Sequence, residues 1–223
     1  MLKLPDGDII VSVIKMYEEL KKSLCDCAKR AYAQGMFAGT SGNLSIFDRE
    51  QGVMAITPSS LAYEDMQDSD IVIMDLCGNK LEGERRPSSE YPMHAAVYRG
   101  CAEVSAVVHT HSPYATALAA AGRDLPPILI EMIPYFRGGI RCMPFALPGT
   151  ADLGSTAVPY LLESNACLLA NHGVLTVGDT LARACERAVY VEDAAKIYCI
   201  SQQVGGAVTI EQKHVEEMKR IYG

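Results

Sequence analysis

VSAVVHTH, residues 104–111, predicts a buried β-strand that ends in two histidines. The apolar, β-branched residues Val104–Val108 are typical of a core strand, in which successive side chains alternate between the two faces. His109 and His111 are separated by one residue, so they point to the same face. Imidazoles that share a face often begin a metal site, although polar residues with this spacing also occur at strand ends that bind no metal.

A third histidine has a similar setting. Ala166–Ala170 is another apolar run, and Asn171-His172-Gly173 ends it. Three histidines at the ends of core strands predict a zinc ion with a coordination position left for water or substrate. That is the pattern of a catalytic zinc rather than a structural one. The sequence does not show that His172 lies next to the pair, so an ordinary hydrogen-bonded role for it stays open.

Length and composition favour one domain, residues 1–223, with a sizeable core, since 49% of the residues are apolar. The formal net charge of −7 argues against nucleic acid or an anionic membrane as the main partner. No apolar stretch reaches the length of a membrane span, and residues 1–8 lack the apolar segment of a signal peptide. We therefore expect a cytoplasmic protein whose eight cysteines are reduced and mostly buried.

Helix and strand patterns follow one another along the chain. Helices are predicted over residues 9–36, 89–99, 113–121, 151–163, 180–203 and 211–221. Strands are predicted over 43–47, 53–56, 71–75, 104–109, 166–170 and 174–177, many of them joined by tight turns. Helices that bracket short strands predict a three-layer α/β/α sandwich with a mixed, largely antiparallel central sheet. Residues 122–150 are rich in proline and glycine and give no clear element.

Three short segments combine small hydroxyl residues with turn signals. They are Gly39-Thr40-Ser41-Gly42-Asn43, Thr57-Pro58-Ser59-Ser60 and Pro87-Ser88-Ser89. Glycine-rich backbone and helix N-termini favour anions such as phosphate, although each segment alone is also compatible with an ordinary turn and helix cap. No segment matches a P-loop or a dinucleotide fingerprint.

Glu90 follows the third of these segments, and His94 lies four residues later, one helical turn away. Glu90 either complements the helix dipole or stands beside the metal as a ligand, a base or each in turn. A further alternative is that Glu90 and His94 bind the metal as a helical pair, which leaves the strand-end histidines unexplained. Spacing alone does not separate these roles.

Five motifs occur in order along the chain. They are Gly-Thr-Ser-Gly-Asn-Leu-Ser (39–45), Ile-Thr-Pro-Ser-Ser (56–60), Pro-Ser-Ser-Glu (87–90), His-Thr-His (109–111) and Asn-His-Gly (171–173). The ordered set resembles the class II aldolase/adducin family, and within it the fuculose-phosphate aldolases. The similarity runs from about residue 10 to the end of the sequence. It implies a homotetramer with active sites at the subunit interfaces.

The resemblance also implies a role for each motif residue. One zinc ion per subunit would be held by His109, His111 and His172, with Glu90 as the fourth ligand in the empty site. The substrate phosphate would be bound by residues of the three polar turns, namely Thr40, Gly42, Asn43, Ser59, Ser60, Ser88 and Ser89. Glu90 would also move a proton on the substrate, and Tyr222 would donate a proton in the site of a neighbouring subunit.

The implied reaction is the reversible aldol cleavage of a ketose 1-phosphate to dihydroxyacetone phosphate and an aldehyde. L-Fuculose 1-phosphate or a related deoxyketose phosphate is the expected substrate class. Ile130 stands where a second catalytic tyrosine is expected, with Tyr135 nearby, so the aldehyde stays undetermined.

The family also contains members with other activities, which stay open as alternatives. They include sugar-phosphate epimerases, a dehydratase and decarboxylases, and Glu90 counts against the epimerases, which typically carry aspartate at this position. Adducin-like members are non-catalytic interaction domains and would be expected to lose the metal ligands. This chain keeps all of them.

Overall fold

The computed structural model describes the backbone of residues 7–222 and the side chains of residues 14–222. The α-helices are α1 (Gly7–Ala33), α2 (Tyr91–Gly100), α3 (Pro113–Ala120), α4 (Met132–Phe136), α5 (Ala151–Ser164), α6 (Leu181–Ser201) and α7 (Gln212–Tyr222). The strands are β1 (Asn43–Asp48), β2 (Val53–Ile56), β3 (Val72–Asp75), β4 (Lys80–Glu82), β5 (Ala106–Thr110), β6 (Cys142–Met143), β7 (Ala166–Leu169) and β8 (Gly173–Gly178). Within the described residues, no helix is long and apolar enough to cross a membrane.

The strands form one sheet in the order β4-β3-β2-β1-β5-β8-β7-β6. Neighbouring strands are antiparallel, apart from the parallel pair of β6 and β7 at one edge. This topology confirms the predicted mixed, largely antiparallel sheet. The strand that carries the histidine pair, β5, lies between β1 and β8 near the middle of the sheet.

The alternation of strand side chains gives the sheet two apolar faces. Val107 of β5 shares a buried cluster with Met93 of α2 and with residues of α5 on one face. The next residue, Val108, shares a second cluster with Leu24 of α1 and Ala188 of α6 on the other face. A third cluster adds α3 and α4 to the layer that contains α6. Helices therefore cover both faces, which confirms the three-layer sandwich.

Several boundaries and connections differ from the sequence expectations. Helix α1 ends at Ala33 rather than at residue 36, and the unassigned stretch 122–150 contains α4 and β6. The parallel pairing of β6 with β7 is non-local, and a strand of two residues is too short for a periodic signal. The turn between Asp75 and Lys80 joins β3 to β4 in a hairpin, in which the Asp75 carboxylate accepts the backbone N–H of Asn79 at 2.9 Å.

One pair of cysteines departs from the expectation of free thiols. The structure joins Cys27 of α1 and Cys185 of α6 in a disulfide, so the expectation does not hold for this pair. The two residues lie far apart in sequence, and only the packing of α1 beside α6 brings them together. The other six cysteines are free.

Candidate active site

The three predicted metal-binding histidines meet at one end of the central strands. β5 and β8 are adjacent and antiparallel, with Thr110 opposite Val174, so the end of β5 lies beside the turn that carries His172. The ring centroids of His109 and His111 are 4.8 Å apart, and that of His172 lies 4.6 Å from the first and 5.1 Å from the second. One ligand atom from each ring lies within 4.8 Å of the others. The fold therefore brings together the residues whose proximity the sequence could not establish.

The turn that presents His172 depends on its two neighbours. Asn171 has a positive φ of 58°, a conformation that asparagine tolerates better than most residues. At Gly173 an added Cβ would collide with the carbonyl oxygen of Thr110 and would lie 3.2 Å from Cε1 of His109. Glycine at this position therefore lets β8 approach β5 closely enough to place the third imidazole beside the first two.

The hydrogen bonding of the imidazoles fits a divalent metal. Nδ1 of His109 donates to the carbonyl oxygen of Val174 at 2.8 Å, so the lone pair lies on Nε2. That atom is 3.0 Å from Nε2 of His111. Two nitrogens bound to a tetrahedral zinc would be about 3.3 Å apart. Burial, together with the neighbouring His109, lowers the pKa of His111 and of His172 to about 4, which leaves both rings neutral as metal ligands must be.

Glu90, the residue before α2, completes the cluster. Its Oε2 lies 3.1 Å from Nε2 of His109, and its Oε1 lies 3.4 Å from Nε2 of His172. Burial raises the pKa of Glu90, but its contacts with His109 and His172 and the hydrogen bond from Asn43 outweigh it and hold that pKa well below its usual range. Oε1 of Glu90 and Nδ1 of His172 are buried without a hydrogen-bond partner among the described residues. An unpaired carboxylate oxygen beside a cluster of imidazoles fits a bound cation.

His94 does not belong to this cluster. It is fully buried, and both of its ring nitrogens form hydrogen bonds, Nδ1 with Oγ of Ser45 and Nε2 with Oδ1 of Asn43, each at 2.6 Å. The alternative in which His94 and Glu90 bind the metal as a helical pair is therefore not supported.

The three polar turns form a single cavity of about 350 Å³ beside the histidines. Its lining contains every residue predicted to bind phosphate, together with Glu90, His111 and His172. Two backbone hydrogen bonds hold the second and third turns together, from Ser59 N–H to the Arg86 oxygen at 2.9 Å and from Ser88 N–H to the Thr57 oxygen at 3.0 Å. A concave surface of hydroxyl groups and glycine backbone next to a metal site suits a phosphorylated substrate.

The glycine-rich turn is fixed against the metal-binding strand. Gly42 has a φ of +76°, and an added Cβ would collide with Phe37 and lie 2.8 Å from the backbone oxygen of His109. The hydroxyl of Tyr63 donates to the backbone oxygens of Gly42 at 2.8 Å and Ser41 at 3.1 Å. The polar cavity and the histidine cluster therefore share one rigid frame.

The comparisons with known proteins agree with this site. The family described as Class II Aldolase and Adducin N-terminal domain matches residues 22–199. The chain belongs to this family. A 5-deoxy-D-ribulose 1-phosphate aldolase of Bacillus thuringiensis serovar kurstaki is 35% identical over 205 residues, which cover 92% of this chain and 96% of the relative. A 5-methylthioribulose-1-phosphate/5-deoxyribulose-1-phosphate aldolase of Rhodospirillum rubrum is 36% identical over 207 residues, 92% of each chain.

A solved structure of an L-fuculose 1-phosphate aldolase matches the fold with a TM-score of 0.87 and 38% sequence identity. The match covers 92% of this chain and 96% of the other. Because relatives named as aldolases match nearly the whole chain, this member of the family is an enzyme of the class II aldolase type.

Four residues that the sequence did not single out also line the cavity of this class II aldolase, namely Ser41, Pro58, Pro148 and Gly149. The first two lie inside motifs that were recognised. The Pro148-Gly149 pair falls in the stretch without a clear element, where it signals a turn but not what the turn faces.

The side chain of Asn43, which is predicted to bind phosphate, already forms two hydrogen bonds within the protein. Its Nδ2 donates to Oε2 of Glu90 at 2.9 Å, while its Oδ1 lies 2.6 Å from Nε2 of His94. One Nδ2 hydrogen therefore remains for a substrate.

The tyrosines named in the sequence analysis lie outside the cavity lining of their own protomer. Tyr222 ends α7 with 63% of its surface exposed. Tyr135 donates to the Glu186 carboxylate at 3.0 Å and stacks on Tyr190, with ring centroids 4.2 Å apart. Ile130 is exposed. A catalytic role for Tyr222 in the site of a neighbouring subunit, and for Tyr135 in place of the tyrosine expected near Ile130, stays a prediction.

Proposed function

We propose that this enzyme catalyses the reversible aldol cleavage of a 5-deoxypentulose 1-phosphate or a related deoxyketose 1-phosphate. The products are dihydroxyacetone phosphate and a short aldehyde. The observation that carries the proposal is the cavity that joins the His109, His111 and His172 cluster to the hydroxyl and glycine turns. The names of the two curated relatives support the deoxypentulose class, and the name of the solved structure supports the deoxyhexulose class.

The proposed cofactor is one zinc ion per subunit, held by the three imidazoles and, without substrate, by Glu90. Nitrogen ligands with one carboxylate and a position left for substrate suit zinc among the divalent metals. When bound, the ion would supply a Lewis acid at the oxygen atoms of the reacting carbons.

The residues of the chain supply binding and proton transfer. Backbone N–H groups and hydroxyls of the three turns bind the phosphate, which acts as a handle that places the reacting carbons beside Glu90. Because its pKa is held low, Glu90 is a carboxylate at neutral pH. It takes a proton from carbon 3 of dihydroxyacetone phosphate in the direction of condensation and returns a proton to that carbon after cleavage.

The proposal includes a cytoplasmic homotetramer in which Tyr222 of one subunit reaches the cavity of the next. The exposure of Tyr222 at the end of α7 supports this, because an exposed terminal side chain is free to contact a second copy. In that position the phenol would protonate or orient the aldehyde oxygen.

The test supplies zinc-loaded enzyme with dihydroxyacetone phosphate and, in turn, acetaldehyde, methylthioacetaldehyde and lactaldehyde. The expected result is a ketose 1-phosphate from at least one aldehyde, with no product from unphosphorylated dihydroxyacetone. His109→Ala should abolish turnover and lower bound zinc, because it removes the most buried imidazole of the cluster. Absence of condensation with every aldehyde would overturn the proposal. If the enzyme instead removes water from a ketose 1-phosphate supplied as the substrate, the reaction is that of a dehydratase.

A further inference from the structure

A buried chain of hydrogen bonds runs behind Glu90. From the outer end, the Tyr98 hydroxyl lies 2.6 Å from Oγ of Ser45, which lies 2.6 Å from Nδ1 of His94. Nε2 of His94 lies 2.6 Å from Oδ1 of Asn43, whose Nδ2 donates to Glu90 at 2.9 Å. Ser45, His94 and Tyr98 are at most 1% exposed, and they do not line the cavity.

This chain of hydrogen bonds follows from the spacing of its residues along α2 and β1. Glu90, His94 and Tyr98 follow one another at intervals of four residues, so they form one stripe along α2. Asn43 and Ser45 are two residues apart on β1, so they share one face of the strand. The stripe on α2 packs against this face of β1, and side chains from the helix and the strand alternate along the chain of hydrogen bonds.

Chemistry fixes the direction of each bond. An ionised Glu90 carboxylate only accepts, so Asn43 gives it an N–H and turns Oδ1 towards His94. Oδ1 also only accepts, so Nε2 of His94 carries the ring proton. Burial lowers the pKa of His94 to about 3, so the ring is neutral and Nδ1 accepts the hydroxyl proton of Ser45. Ser45 in turn accepts from the Tyr98 hydroxyl.

We propose that His94 is a positioning residue for Glu90 that acts through the carboxamide of Asn43. The two ends of a carboxamide are nearly identical in shape, so packing alone does not select which end faces Glu90. A reversed carboxamide would place an acceptor against the carboxylate and a donor against the N–H of His94. The Glu90 carboxylate and the Nε2 proton of His94 together exclude that orientation, and Ser45 and Tyr98 hold the ring in the required tautomer.

The effect on turnover rests on the proposed function, in which Glu90 carries the proton. With its carboxylate held by the Asn43 N–H, Glu90 has one orientation towards the substrate carbon. Without the donor from His94, the carboxamide keeps only its bond to Glu90 and is free to rotate, so this orientation is no longer fixed. The expected consequence is a lower kcat with little change in KM, because six of the seven residues predicted to bind the phosphate lie outside this chain of hydrogen bonds.

Two variants of similar size separate this role from simple core packing. In His94→Gln the amide nitrogen can occupy the place of Nε2, which keeps the donor to Asn43 and loses the partner of Ser45. In His94→Asn the amide oxygen can occupy the place of Nδ1, which keeps the partner of Ser45 and leaves Asn43 without its donor. Each variant loses one hydrogen bond of the same buried chain, so a purely structural role predicts similar kinetics for both.

The expected kcat is within about threefold of the wild type for His94→Gln and lower by about tenfold or more for His94→Asn. KM for the ketose phosphate and zinc content should be similar in both. Neutron crystal structures of the variants, in which deuterium atoms distinguish an amide nitrogen from an oxygen, give a second readout that does not depend on activity. Nδ2 of Asn43 should stay on Glu90 in His94→Gln and leave it in His94→Asn.

Equal kcat values in the two variants, with the Asn43–Glu90 bond intact in both, would overturn the inference. If the wild type cleaves no ketose phosphate, the proposed function fails, while the pair of crystal structures still decides the role of His94. If His94→Asn does not fold, Ser45→Ala replaces it, because it removes the donor to Nδ1 and leaves His94 in place. A lower kcat at unchanged KM in Ser45→Ala supports the inference, and a wild-type kcat overturns it.

Discussion

Replacing Glu90 with glutamine removes the proton-accepting group of the proposed site while keeping its shape. Glu90 is buried, and its Oε2 lies 2.9 Å from Nδ2 of Asn43 and 3.1 Å from Nε2 of His109. The glutamine oxygen can accept from Asn43, and its NH₂ group then takes the place of Oε1, 3.4 Å from Nε2 of His172. Because that place has no hydrogen-bond partner among the residues that the structure describes, the substitution breaks no existing bond there. The fold should therefore persist.

The magnitude of the effect follows from the role of the carboxylate. A positioned general base contributes about 10²–10⁴-fold to a rate, or about 3–5 kcal/mol of activation free energy. The three imidazoles remain as metal ligands in Glu90→Gln. We therefore expect kcat to fall by about a hundredfold or more, while most of the zinc is retained.

Two assays separate proton transfer from cleavage of the carbon–carbon bond. Exchange of the carbon 3 hydrogen of dihydroxyacetone phosphate in D₂O, followed by NMR, reports the proton step alone. Release of aldehyde from the ketose phosphate reports the whole reaction. Glu103→Gln, which changes an exposed glutamate elsewhere, is the matched control and should behave as the wild type. Wild-type rates of both exchange and cleavage in Glu90→Gln would refute the reasoning and leave Glu90 as a residue that only complements a helix dipole.

Three further predictions concern the phosphate cavity, the C-terminal helix and pH. Ser89→Ala should weaken binding of a phosphorylated ketose far more than that of its unphosphorylated analogue in calorimetry; equal losses would make the turn structural. Tyr222→Phe should slow cleavage at similar KM, and wild-type rates both there and after deletion of residues 219–223 would exclude a catalytic role. Burial lowers the pKa of His94 to about 3, and that of His111 and His172 to about 4, so below about pH 6.5 the unfolded chain binds protons that the folded chain does not. The free energy of unfolding of the metal-free protein should therefore be highest above about pH 6.5 and should fall by about 1.4 kcal/mol per pH unit for each histidine as the pH falls towards 4. In urea unfolding, His94→Gln should remove the contribution of one histidine to this loss.

Local patterns in the sequence account for most of the secondary structure. The apolar, β-branched run in residues 104–108 identified a buried strand, and the family motifs identified the residues that line one cavity. These signals depend on the period of a single element or on short motifs, both of which are visible without knowledge of distant contacts.

Features that depend on distant contacts could not be predicted in the same way. The hydrogen bonds between the Ser59 and Ser88 turns join segments separated by the hairpin of β3 and β4. The Cys27–Cys185 pair depends on how α1 packs beside α6. The helical spacing of His94 from Glu90 suggested a pair of metal ligands. The fold instead places β1 against that face of α2, and the hydrogen-bond partners of His94 lie on this strand.

The glycines that flank His109 have a consequence for the redesign of this enzyme. Gly42 on one side and Gly173 on the other leave no room for a Cβ against the end of β5. Any side chain introduced there would separate strands that must stay close, so these positions tolerate no useful diversity. Pro148 offers more freedom, because it reaches the cavity from a loop outside the sheet, whereas its neighbour Gly149 has a φ of +75° and is constrained, like the other two glycines. A library that aims to change the accepted aldehyde should therefore vary that loop and leave the glycines untouched.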